Sequence, residues 1–394
     1  MQSVPILTRL ARRTGLAIAA GALATIGTIA GPALAASAAT VTPAASAGSA
    51  ATAAASAAAA PHVYNAHLRP VARISATRMP IATPAGAAQF PLYLSRDWNQ
   101  PLPEVTRAVI VIHGKLRNAD RYFHSAEQGR DAAAAQGADV SGTLLIAPQF
   151  LASLDLAERG GEAGNAALLR WDANGWMAGD AALAPVAVSS YTVLDTIVER
   201  LADRTRFPNL KTVVFAGHSG GGQVVQRYAV AARETGALAR EGIALRYVVS
   251  SPSSYAYFDA ERPGADGKPA AFDAAACPGF DDWKYGMAKR PPYLADRTAA
   301  QLESAYAARQ VTYLVGGNDD DPQQKALDQS CPAEAQGPQR LARAEAYFGY
   351  LQARHPQGLN QHLHVVPGVG HNGAKMLTSA CALAAIYDTP GCGS

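Results

Sequence analysis

Ser219 lies in the run Gly217-His218-Ser219-Gly220-Gly221, with the apolar stretch Val213 to Ala216 before it and Gly222 after it. A hydroxyl held among glycines, between a buried strand and a helix, suits a nucleophile. Glycines remove β-carbons where strand and helix crowd the turn, and they tolerate strained dihedrals. The hydroxyl then stands clear of the strands, and the N–H of Gly220 points to where an oxyanion forms. A tight glycine turn without chemistry is the plainer alternative. A serine is a weak nucleophile, so acyl transfer also needs a base to take its proton and a carboxylate to orient that base.

Four histidines follow Ser219: His355, His362, His364 and His371. His362 and His364 alternate within one apolar run, share a face and read as structural. His355, in "ARHPQG", reads as a solvated helix end. His371 sits in the glycine loop "PGVGHNG" just beyond the last strand, and is the expected base. The carboxylate is expected after the strand "VTYLVGGNDDDP", where Asp319, Asp320 and Asp321 all qualify by position. Spacing from Gly316 favours Asp319. Three aspartates in a row also fit a solvated turn or a weak cation site, and Asp259 is an outside candidate. The second oxyanion donor is expected from the loop after "VIVIHG", at the backbone N–H of Lys115, with Leu116 as its neighbour. A reaction run by these groups calls for no metal and no organic cofactor.

Taken together, "IHGKLRNADRYF", "GHSGGGQVVQRYA", "YLVGGNDDDP" and "GVGHNGAKM" resemble secreted bacterial and fungal serine α/β-hydrolase-fold proteins, mostly of undefined substrate, over roughly residues 64–385. The resemblance implies the chain order serine, acid, histidine and an acyl-enzyme mechanism. That group's pattern near the acid is D-x-D-P with the first aspartate in the triad, which implies Asp319. No substrate is implied.

The elements that must position these residues are legible as alternating strands and helices. "RAVIVIHG" (107–114), "TLLIAPQF" (143–150), "LRYVVSS" (245–251), "QVTYLVGG" (310–317) and "QHLHVV" (361–366) read as strands. Residues 190–203 place Val193, Leu194, Ile197, Val198 and Leu201 on one helical face, with Ser189 or Ser190 as the cap. Alternation of this kind implies an α/β fold with a doubly wound, mostly parallel sheet, the site lying beyond the carboxyl ends of the strands. Residues 64–96 are expected to add antiparallel edge strands. Two long segments break the alternation. Residues 151–188 carry Trp171 and Trp176, and residues 252–300 are dense in Tyr, Phe and Trp. Both read as a lid over the site, with a satellite core as the alternative. An aromatic lid without a charged cluster leads to the expectation of an uncharged ester with an apolar acyl or aryl part.

The remaining sequence bounds the setting. Residues 1–35 carry Arg9, Arg12 and Arg13, no acidic residue, an uncharged stretch and the end "ALA", the layout of a cleaved secretory signal. A retained membrane anchor is the alternative, although the stretch is only weakly apolar. Residues 36–60 are nearly all Ala, Ser, Thr, Pro and Gly, and read as a disordered linker. The globular domain then runs over 61–394. The formal charge of +3 largely reflects the leader's arginines, and no basic patch argues for nucleic acid. Four cysteines in an exported chain suggest two disulfides, and the sequence-local pairing is Cys277–Cys331 with Cys381–Cys392. The leading expectation is an exported carboxylic-ester hydrolase, with a peptidase or amidase of the same fold as one alternative. A secreted binding protein on a hydrolase scaffold is another.

Overall fold

Strict alternation along the strands decides the layering. In β5 (Thr212–His218), Val213 and Phe215 enter one apolar cluster while Val214 and Ala216 enter a second. In β3 (Arg107–Ile112), Ala108, Ile110 and Ile112 join the first cluster, and Val109 and Val111 the second. Side chains of successive residues point to opposite faces, so strands that are apolar throughout must be covered on both sides. The computed structural model describes residues 66–392 apart from 85, 158–164 and 234. The leader and linker expected over 1–60 lie outside the described residues. No helix of the described residues is long and apolar enough to cross a membrane.

The sheet has eight strands. β1 (Arg78–Thr83) and β2 (Gly86–Leu94) form an antiparallel pair at one edge, within the segment read as edge strands. Beside them lie β4 (Thr143–Pro148), β3, β5, β6 (Ala244–Ser250), β9 (Gln310–Gly316) and β10 (Gln361–Val366), all mutually parallel. A separate two-stranded hairpin, β7 (Glu261–Pro263) with β8 (Pro269–Ala271), belongs to the insertion after β6. The mostly parallel, doubly wound sheet expected from the sequence is the one that forms.

Helices cover both faces. One face carries α3 (Ser190–Leu201), α4 (Gly220–Ala231), α6 (Ala299–Ala307) and α8 (Arg340–Arg354). The other carries α1 (Ala119–Ala135), α9 (Gly373–Leu377) and α10 (Ala380–Tyr387). Short helices α2 (Ser153–Leu156), α5 (Thr235–Arg240) and α7 (Cys331–Glu334) complete the set. Ser189 caps α3 by accepting the Tyr191 N–H, and the five apolar residues read onto one face are all buried.

The two irregular segments pack differently from the lid expected of them. Trp171 and Trp176 are fully buried, and Trp176 stacks on Phe150 at 5.4 Å. In 252–300, Tyr255, Tyr257, Phe258 and Tyr293 are buried in the main core. Tyr255 stacks on Tyr347 of α8 at 4.5 Å. Trp283 donates its indole N–H to the Ala178 carbonyl at 2.6 Å. Tyrosines on α8 offer these rings both apolar area and hydroxyl partners, with Tyr347 donating to Ala256 O and Tyr350 to Asp259. Tyr255 and Tyr257 are thus packed against the tyrosines of α8 and do not face solvent, and the Tyr257 hydroxyl has no partner among the described residues. The disulfides Cys277–Cys331 and Cys381–Cys392 follow the sequence-local pairing. The first ties the insertion to the start of α7, just beyond the loop that follows β9.

Candidate active site

Ser219 is the last residue before α4, held at φ 60°, ψ −120°. Non-glycine residues rarely adopt positive φ, and such strain persists only where the surroundings enforce it. Here the Ser219 N–H donates to Ser250 O at 2.9 Å, fastening the turn to β6. The next turn lies against β3. A β-carbon on Gly221 would fall well inside contact distance of the Ile112 carbonyl oxygen and lie 2.8 Å from that of His113. Glycine at 221 is therefore a steric requirement of the elbow.

The base and acid loops are knitted to each other. Asn318 N–H donates to Val369 O at 3.0 Å, Gly317 N–H to Val366 O at 2.9 Å, and Asp319 N–H back to Gly316 O at 3.0 Å. At Gly316 the Val369 carbonyl takes the space of a β-carbon, so the loops approach as closely as backbone permits. His371 then lies between the two other groups. Its Nε2 is 2.9 Å from Ser219 Oγ and its Nδ1 is 2.8 Å from Asp319 Oδ2. With the proton on Nδ1, the imidazole donates to Asp319 and accepts from the serine hydroxyl. Asp320 and Asp321 are exposed, and Asp321 caps its own turn by accepting the Gln323 N–H. Asp259 is taken up by Arg354 and Tyr350. His355 caps the end of α8 beside Glu303, and His362 and His364 line a groove of about 720 Å³ along β10 that contains none of the groups around Ser219.

Electrostatics suit a neutral base and an ionised acid. Burial pushes the Asp319 carboxyl up, but the hydrogen bond from His371 and the charges of His371 and Arg340 outweigh it, leaving the group below its ordinary value. Burial pushes His371 below the ordinary imidazole value; its hydrogen bond to Asp319 opposes this, and the Arg340 charge adds to it. Arg340 is a residue that the sequence reading did not pick out. It is 1% exposed and donates to Asp319 Oδ1 at 3.2 Å, to Gln324 Oε1 at 3.2 Å and to Ser253 Oγ at 3.3 Å. A signal was present: Arg340 and Arg343 fall on the same stripe of α8 as Ala344, Tyr347 and Leu351, where an apolar residue is the norm. His218 was also passed over. Its Nδ1 is 3.0 Å from Ser250 Oγ, and its ring lies 4.6 Å from that of His371. Burial holds it well below the ordinary imidazole value, so it places no second positive charge beside His371.

The side of the cleft where the oxyanion is expected is built from the loop after β3. His113 Nε2 accepts the Phe150 N–H at 3.0 Å, which fixes its tautomer, so Nδ1–H donates to Gly114 O at 2.9 Å. Gly114 O also accepts the Arg117 N–H at 3.0 Å. In a trans peptide the C=O and N–H point opposite ways, so pinning this carbonyl turns the Lys115 N–H the other way. A β-carbon on Gly220 would lie 2.8 Å from the Lys115 nitrogen, which shows how closely the two donors approach. Among the described residues the Lys115 N–H has no acceptor. Gly220 opens α4, where the first N–H groups have no intrahelical partner. Buried His113, pushed down to about 4 chiefly by desolvation, stays neutral and serves as a brace.

No protein-family model matches the sequence, and no curated protein is similar to it. Solved structures are. Poly(aspartic acid) hydrolase-1 from Sphingomonas sp. KT-1 is 21% identical with a TM-score of 0.51, over 81% of this chain and 99% of that one. LpqC, a poly(3-hydroxybutyrate) depolymerase from Bordetella parapertussis, is 21% identical with a TM-score of 0.51, over 80% of this chain and 91% of that one. The chain has the α/β-hydrolase fold. In that fold the elbow after β5, the acid loop after β9 and the histidine loop after β10 meet beyond the carboxyl ends of the parallel strands. The Ser219 cleft has a volume of about 330 Å³ and is walled by the loop at 114–118, by Gln324, Lys325 and Ala326, and by His67. No residue of 252–300 lines it. The aromatic lid inferred from sequence is thus replaced, at this hydrolase-fold cleft, by the loop that follows Asp319.

Proposed function

We propose that the chain is a serine hydrolase that cleaves carboxylic esters. Ser219 attacks the carbonyl, and His371 takes its proton and returns it to the leaving alcohol. Asp319 holds the Nδ1–H tautomer and stabilises the imidazolium. The N–H groups of Lys115 and Gly220 receive the oxyanion, and water on the same base then releases the acyl group. One observation carries the reading: the continuous contact from Ser219 Oγ through His371 to Asp319, at 2.9 and 2.8 Å. The strained backbone of Ser219 supports it, because strain of that kind is concentrated at functional sites. Two solved structures of the same fold carry the names hydrolase and depolymerase, which agrees with hydrolysis as the reaction class.

Export is part of the same proposal. Two disulfides among the described residues fit an oxidising compartment. The test is labelling with a fluorophosphonate, followed by turnover of ester and peptide-amide substrates. An ester hydrolase takes up the probe on Ser219 and turns over esters faster than amides. Amide turnover above ester turnover makes it an amidase. An unlabelled Ser219 in folded protein leaves the binding-protein reading standing.

A further inference from the structure

The groups that wall the Ser219 cleft share one chemical character. Lys115 and Lys325 both line it, and no aspartate or glutamate is among the described residues that do. Neither lysine has a carboxylate within ion-pair distance among the described residues; Lys115 is partly buried and Lys325 is exposed. The carboxylate whose charge Lys115 feels is Asp328, which is held by Lys284 at 3.5 Å and by the Tyr285 hydroxyl at 2.8 Å. The cations beneath the cleft are already neutralised. Arg340 pairs with Asp319, and Arg117 pairs with Asp155 at 2.7 Å. The two lysines are the surplus.

Gln324 supplies an independent observation. Its Oε1 accepts from Arg340 Nη1 at 3.2 Å and from the Ala326 N–H at 2.8 Å. Arginine and a backbone amide can only donate, so this end of the carboxamide is the oxygen. The NH₂ end is left without an acceptor among the described residues, on a side chain that lines the cleft. Two lysines and a carboxamide with a free donor end thus line one cleft from two loops, and Lys115 is also the residue whose backbone nitrogen lies closest to Gly220. An anionic group in the cleft offers these donors a charge-assisted acceptor that an uncharged apolar acyl group lacks.

We propose that the cleft takes an ester carrying an anionic group, a carboxylate in the simplest case, with Lys115, Lys325 and Gln324 as its receptors. This rests on Ser219 being the nucleophile and replaces the expectation of an uncharged substrate, which depended on aromatics that are packed in the core. The test pairs two esters with one leaving group and one chain length, mono-4-nitrophenyl adipate and 4-nitrophenyl hexanoate. The ratio of their kcat/KM cancels any effect on the oxyanion donors. In the native enzyme the anionic ester leads by about tenfold or more, and the lead shrinks as salt is raised. In Lys115→Gln with Lys325→Gln the ratio falls by about tenfold, mostly through KM. Calorimetry of adipate on Ser219→Ala gives a readout free of turnover, with binding that weakens in the double lysine variant. A ratio at or below one, or a ratio unchanged by the double variant, overturns the proposal. If Ser219 takes up a fluorophosphonate while the ratio stays near one, this inference fails and the hydrolase reading stands. If Ser219 is never labelled, that reading fails, and adipate binding alone decides whether the wall binds anions.

Discussion

Asp319→Asn tests the buried pair beneath the base. Asp319 is 3% exposed and Arg340 is 1% exposed, with 3.2 Å between them. Removing one partner of a buried ion pair costs about 3–5 kcal/mol, because the other charge is left uncompensated. The asparagine oxygen can still accept from Arg340, and Gln324 and Ser253 remain as neutral acceptors, so the lower end, about 3 kcal/mol, applies. For a domain of this size that is a fall in Tm of roughly 4 °C. Turnover falls much further, by about 10⁴-fold, because an asparagine whose oxygen faces Arg340 presents NH₂ to His371 and imposes the wrong tautomer. Thermal melts and initial rates on Asp319→Asn and on Asp319→Asn with Arg340→Met separate the two effects. Removing both charges restores most of the Tm, while turnover stays far below that of the native enzyme because no carboxylate stabilises the imidazolium. An unchanged Tm in the single variant, or recovered turnover in the double, would refute this reasoning.

The pH profile follows from His371, whose pKa burial holds below 6.5. Protonation removes the base, so kcat/KM falls only on the acid side of that value, and Arg340→Met, which deletes one cause of the lowering, moves this limb to higher pH. Gly221→Ala sets a β-carbon against the carbonyls of Ile112 and His113, and a misplacement of about 1 Å at the elbow costs on the order of 10²-fold in kcat, read from steady-state rates. Cys277→Ser with Cys331→Ser opens a link across 54 residues and destabilises by about 2–5 kcal/mol in denaturant melts. Because that link ends just beyond the loop bearing Gln324 and Lys325, KM rises as well.

Much of the site was legible because its signals are local. A four-residue apolar run ending in glycines identifies the elbow without reference to the rest of the chain, and His371 is the one downstream histidine in a glycine loop beyond a strand. The choice among Asp319, Asp320 and Asp321 was local only in part, through the spacing of Asp319 from Gly316. It depends on the backbone bonds from Asn318 to Val369 and from Asp319 to Gly316, which turn one carboxylate inward and leave its neighbours exposed. The aromatics of 252–300 were read as a lid because density in the sequence does not say which way a ring faces. Tyr347 and Tyr350, nearly a hundred residues on, decide that. The insertion carries no concentrated charge, whereas the unpaired lysines stand at 115 and 325, on two loops that only the fold brings together.

The central claim is that Ser219 carries the acyl group. Acid-quenching a reaction with 4-nitrophenyl acetate during its first turnover, followed by peptide mass spectrometry, tests this most directly. The account predicts a single acetyl adduct on the peptide containing Ser219, lost in Ser219→Ala together with the burst of 4-nitrophenol. An adduct on another residue, or an undiminished burst in folded Ser219→Ala, would contradict it.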